Sequence, residues 1–99
     1  MIDLNAITGF DWDKGNARKN EKHAVTMAES EQIFFNSPIL LLSDQKHSES
    51  EIRFHALGKT DELRLLHITF TLRDRGRTIR VISARDMHRK EREAYEKAE

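Results

Sequence analysis

Arginines and histidines at two-residue spacing are the groups in this chain best suited to chemistry. Arg53 and His55 alternate in one run, His67 and Thr69 in a second, and Arg80 stands in a third. A guanidinium grips phosphate oxygens through paired N–H groups, and an imidazole exchanges a proton near neutral pH. Together they suit binding and acid–base work on a phosphate ester. The charge distribution agrees. The whole chain is formally neutral, but Arg73 to Arg92 holds eight Lys/Arg against three acids, a local net charge of +5. A local basic field on a neutral protein points to a local anionic partner.

Other chemistries lack their residues. There is no cysteine, so neither a disulfide framework nor a thiolate metal site is available. The five histidines (His23, His47, His55, His67 and His88) fall in no metal-ligand motif. We expect no metal and no cofactor. Neither a phosphate-cradling glycine loop nor a GxSxG nucleophile elbow is present. The longest apolar run, Ile39–Leu42, is far too short for a bilayer, and Met1–Asn5 does not read as a secretion signal. The expected location is the cytoplasm.

Elements must position these groups. Ninety-nine residues make one domain. We read residues 1–9 as a weakly patterned lead-in and 10–99 as the domain. Asp13 would cap a short basic helix over 14–22. Thr26 with Glu29 is a capping-box pattern opening a second helix over 27–35, stopped by Pro38. Strands are expected at 39–43, 51–57 (closed by Gly58), 63–72 and 77–83, with Asp44–Ser50 a polar loop and Asp74-Arg75-Gly76 a hairpin turn. A charged helix over 86–97 ends the chain, laced by pairs such as Arg89–Glu93. The expected class is α+β: two N-terminal helices packed on a four-stranded antiparallel sheet, followed by a C-terminal helix.

Strand parity then sorts the faces. Ile52, Phe54, Ala56, Leu66, Ile68, Phe70, Ile79, Val81 and Ser83 line a dry core face. Arg53, His55, His67, Thr69 and Arg80 share the other, with no carboxylate among them. A merely solvated face would mix Glu and Lys, so the choice of Arg, His and Thr favours recognition. The orientations of Arg64 and Arg85 stay open. Trp12, beside Phe10, is most simply an aromatic anchor, with base stacking the alternative. Tyr95 either packs inward or offers its hydroxyl to a partner.

Several pieces carry a joint resemblance. Phe10-Asp11-Trp12-Asp13, Asn20, Lys22-His23-Ala24-Val25, His47-Ser48, Arg53, Gly58, Arg80-Val81-Ile82-Ser83-Ala84-Arg85, Glu91-Arg92 and Tyr95 resemble the BrnT toxins of type II toxin–antitoxin pairs. The likeness runs from about Phe10 to Lys97 and departs at Ala24, where the family more often has Gly. It implies a RelE-like fold and a ribonuclease that cuts RNA and arrests growth. It further implies a BrnA-type antitoxin with a ribbon-helix-helix region, through which operator DNA would be reached only indirectly.

A metal-free ribonuclease of this kind would use the ribose 2′-OH to attack the adjacent phosphate. That needs a base, cations for the phosphorane and an acid for the leaving 5′ oxygen. On this reading Arg64 and Arg80 stabilise the phosphate, with Arg53, Arg85 and Trp12 supporting the substrate. Lys22 and His23 close the site's edge, and His55 or His67 moves the proton. Arg89, Arg92 and Tyr95 on the last helix are candidates for the antitoxin contact. The competing reading is a non-enzymatic nucleic-acid-binding or protein-binding module using the same basic face. It would bind RNA and leave it intact.

Overall fold

A computed structural model describes residues 2–13, 23–44, 46 and 51–99. After a 3-10 turn at Leu4–Ala6 come β1 (Gly9–Phe10), α1 (Met27–Gln32), β2 (Leu40–Asp44), β3 (Arg53–Lys59), β4 (Leu65–Arg73), β5 (Thr78–Asp86) and α2 (Arg89–Ala98). The expected helix over 14–22, with Lys22, and the loop residues His47–Ser48 lie outside the described residues.

The fold expectation is corrected in two respects. The sheet has five strands, not four, and is mixed: its order is β1-β5-β4-β3-β2, and β1 runs parallel to β5. Thr8 N–H donates to Arg77 O at 2.7 Å and Asp11 N–H to Ile79 O at 2.9 Å, so the lead-in is a sheet edge. Two-residue strands leave no alternation to read, which hid β1 from the sequence. Of the two expected N-terminal helices, the described residues hold the second, shorter than expected. The expected arrangement of two helices on a four-stranded antiparallel sheet is therefore not what this chain builds.

Helix α1 begins as its sequence dictates. Thr26 Oγ1 accepts from Glu29 N–H, and Glu29 Oε1 accepts from Thr26 N–H, both at 3.0 Å. Each bond satisfies a donor that the first turn would otherwise leave unpaired. The helix ends at Gln32 rather than 35, and Ile33 drops fully buried onto the sheet. A Cβ on Gly58 would come within 2.9 Å of Ile33 Cβ. Gly58 sits inside β3, not after it, and its missing side chain lets Ile33 pack on that backbone.

The dry face is as expected for most positions. Val25, Ile33, Ala56, Leu66, Ile68, Phe70, Ile79, Val81 and Ala84 form its buried cluster. Phe70 meets Phe34 edge-on at 5.2 Å and stacks on Phe54 at 5.5 Å between ring centroids, both favoured geometries. Trp12 lies against this cluster and donates its indole N–H to Glu31 Oε2 at 2.8 Å.

Candidate active site on the opposite sheet face

The opposite face is ordered by strand pairing into three cross-strand rows. The first is Asp44, Arg53, Thr71 and Arg80; the second Leu42, His55, Thr69 and Ser83; the third Leu40, Leu57, His67 and Arg85. Directly paired residues stand about 5 Å apart, so each row is within reach of one nucleotide's phosphate and sugar. Helix α2 covers only the apolar end. Tyr95 and Met87 are buried there with Leu57, against Leu40 and Leu65. The polar rows lie beyond it.

A bulge makes this face possible. Thr69 pairs with Ser83, but Phe70 pairs with Val81, so Ile82 is an extra residue in β5. An extra residue reverses the alternation beyond it. Arg80 and Arg85 have opposite parity and would otherwise point to opposite faces. The bulge brings both to the face of His55 and His67. It also moves Ser83 there from its expected place on the core face, while Ala84 takes the core position.

The two imidazoles lie 4.9 Å apart between ring centroids. His55 is clamped across three strands: Nε2 lies 2.9 Å from Asp44 Oδ2, and Nδ1 lies 3.0 Å from Thr69 Oγ1. His67 is the more buried ring. Burial first, then the Arg85 charge, pushes its pKa down to about 4, against the raising effect of Glu91. It is neutral at pH 7, so its 3.9 Å approach to Glu91 is not an ion pair. Its buried Nδ1 has no hydrogen-bond partner among the described residues.

The face is not free of carboxylates, as parity alone suggested. Glu91 reaches back from α2 and takes Arg85 through two bonds of 2.8 and 3.0 Å. The same carboxylate accepts from His88 N–H at 2.8 Å. The Arg85 bond is the largest cause holding Glu91 down at about 2. Arg80 pairs with Asp11 at 3.3 Å and with Asp13. Acids that follow β1 and one from α2 thus balance Arg80 and Arg85. A guanidinium held in a fork by carboxylates is pre-aimed, and a phosphate engages it by competing for the same N–H groups.

Arg64 stands elsewhere. Its guanidinium bonds Asp86 at 2.7 and 3.1 Å, Glu29 at 3.2 Å, and the carbonyls of Ala24 and His23 at 2.9 and 3.4 Å. It clasps the segment before α1 to the end of β5, away from the imidazole rows. His23 is exposed and reaches this clasp through its carbonyl. Trp12 belongs to the core-side cluster. Tyr95 is fully buried, its hydroxyl donating to Pro38 O at 2.6 Å, so it packs inward and offers no surface to a partner. Arg89 is exposed beside Glu93 at 3.7 Å, and Arg92 donates to Met87 O at 2.8 Å. The structure thus unites Arg53, His55, His67, Arg80 and Arg85, and separates Arg64, His23 and Trp12 from them.

Two residues of this face escaped the sequence reading, Asp44 and Glu91. Asp44 read as the first residue of a polar loop; continuing β2 by one residue would have set it opposite Arg53. Glu91 read as one acid in a charged helix, and no local pattern links it to Arg85.

Imidazoles beside forked guanidiniums are groups whose chemistry suits an anionic ester. The comparison with protein families gives the particular kind of protein. The model of BrnT, the ribonuclease toxin of type II toxin–antitoxin systems, matches residues 12–91. The chain belongs to the BrnT family: it is a ribonuclease toxin, and an antitoxin is its counterpart. No curated protein matches the chain. No helix among the described residues is long and apolar enough to cross a membrane.

Proposed function

We propose that this toxin is a metal-independent endoribonuclease whose active site is the face bearing Arg53, His55, His67, Arg80 and Arg85. The supporting observation is the bulge-dependent convergence of Arg80 and Arg85 on two imidazoles 4.9 Å apart. His55 takes the 2′-OH proton as the 2′ oxygen attacks the adjacent phosphorus. The P–O5′ bond breaks, leaving a 2′,3′-cyclic phosphate, and the imidazolium returns its proton to the 5′ oxygen. Arg53, Arg80 and Arg85 stabilise the charge of the phosphorane, the largest single contribution in many enzymes of this type. His67, neutral at pH 7, is not the proton donor; it helps set the polarity around His55.

In this reading Arg64 serves the site indirectly, by fastening the chain that leads from Lys22 and His23 into α1. The working compartment is the cytoplasm, where RNA is available. The neutralising partner is a BrnA-type antitoxin with a ribbon-helix-helix region, contacting the exposed charged side of α2 at Arg89 and Arg92. Purified protein incubated with RNA in excess EDTA tests the chemistry. Cleavage to 2′,3′-cyclic phosphate ends is expected. Intact RNA in EDTA with cleavage restored by a divalent ion would overturn metal independence, and RNA bound but never cut would overturn the site's assignment as catalytic.

A further inference from the structure

The Asp44–His55–Thr69 line runs carboxylate, imidazole, hydroxyl across three neighbouring strands, with contacts of 2.9 and 3.0 Å. Asp44 is the last residue of edge strand β2, and its side chain is nearly buried at 10% exposure against His55 at 28%. A carboxylate accepts only, so the nitrogen facing it must carry the proton. The hydroxyl of Thr69 is then the donor to the other nitrogen. We propose that Asp44 is the positioning residue of this ribonuclease site: it fixes the Nε2–H tautomer of His55 and so presents the Nδ1 lone pair as the base. The inference rests on the assignment of His55 to proton transfer.

The geometry gives the working order. In the resting site, the Thr69 hydroxyl occupies the Nδ1 lone pair. The substrate 2′-OH takes that place, gives its proton to Nδ1 and attacks phosphorus. The resulting imidazolium, protonated on both nitrogens, is stabilised by Asp44 and later protonates the departing 5′ oxygen. Asp44 itself stays ionised, as the carboxylate of a hydrolase triad does. Among the described residues, the other charged or titratable groups on the rows around His55 are Arg53 on its own strand, His67 on β4, Arg80 and Arg85 on β5, and Glu91 of α2 through Arg85. Among the described residues only Asp44 bonds the imidazole with a carboxylate.

The test joins a spectroscopic and a kinetic readout. Side-chain ¹⁵N shifts of the wild-type protein should show His55 protonated at Nε2 when neutral. Protonation at Nδ1 would overturn the proposal before any variant is made. Asp44→Asn keeps the shape and removes the charge. It should populate the second tautomer and lower the plateau cleavage rate about tenfold to a hundredfold, part of what general-base catalysis contributes. It should also move the acidic limb of the pH–rate profile to lower pH, with little change in KM. Asp44→Glu should restore part of the rate. Cleavage unaffected by His55→Ala sinks the ribonuclease assignment of His55 itself. Cleavage that His55→Ala abolishes, but that Asp44→Asn leaves unchanged in plateau and profile, sinks only the role of Asp44.

Discussion

Arg64→Ala should weaken the fold far more than it alters the chemistry. The side chain makes two bonds to Asp86, one or two to Glu29 and two to backbone carbonyls. Charge-assisted hydrogen bonds contribute about 1.5–3 kcal/mol each where they are desolvated. Asp86 is 64% exposed, so its share falls to the surface ion-pair range of about 0–1 kcal/mol. Glu29 is 27% exposed and keeps its Thr26 bond after truncation, so its loss is partial. The sum is about 2 kcal/mol, or a fall in Tm of about 8–16 °C for a domain of this size. The pH dependence has a definite sign. Arg64 is the largest cause lowering the Asp86 pKa below its ordinary 3.8, and Thr26 then Arg64 lower Glu29 below 4.5. Lowered folded-state values add stability that is present above the ordinary values and is lost as pH falls through the depressed ones. The Tm gap between wild type and variant should therefore be constant near pH 7 and shrink below about pH 4. Thermal melts across pH measure it. An unchanged Tm together with lost RNA cleavage would return Arg64 to the chemistry and end its assignment as a clasp.

Further outcomes follow from individual contacts. The Cε1 proton of His67, followed by NMR, should titrate near pH 4 rather than near the ordinary 6.5, because burial and Arg85 oppose its charge. Glu91→Gln should lower stability by about 1–2 kcal/mol, since the carboxylate both forks Arg85 and accepts from His88 N–H. It should also reduce cleavage by loosening Arg85. Gly58→Ala should cost about 1–3 kcal/mol by driving a methyl into Ile33, read as a lower urea midpoint. A Gly58→Ala midpoint equal to wild type would show that α1 yields where we hold it to be packed.

How much of this was legible in the sequence depends on the range of the signal. The capping box at Thr26 and Glu29, the alternation of β3 and β4, and the Asp74–Gly76 turn are local patterns, and the structure follows them. So did the union of Arg53, His55, His67 and Arg80 on one face, because period-two parity survives along uninterrupted strands. The bulge at Ile82 broke that parity. No sequence rule marks an extra residue in a run such as Arg80-Val81-Ile82-Ser83, whose members all suit a strand. Parity therefore sets Ser83 on the wrong face and leaves Arg85 without a place. The local +5 count was misleading for a related reason. It omits Asp11, Asp13 and Glu51, which pair with Arg80 and Arg73 from distant parts of the chain. Parallel pairing of β1 with β5 is likewise a long-range event that two residues, Gly9 and Phe10, cannot announce.

In the proposed function RNA is cut on the imidazole–guanidinium face, without a metal, and not at the Arg64 clasp. The most direct measurement is end-labelled RNA incubated in excess EDTA with wild type, His55→Ala, Arg80→Ala and Arg64→Lys, each verified as folded by its melting curve. Wild type and Arg64→Lys should give 2′,3′-cyclic phosphate products, and cleavage should fall at least about a hundredfold in His55→Ala, through lost acid–base catalysis, and in Arg80→Ala, through lost charge stabilisation. Full cleavage by folded His55→Ala and Arg80→Ala would contradict the proposal.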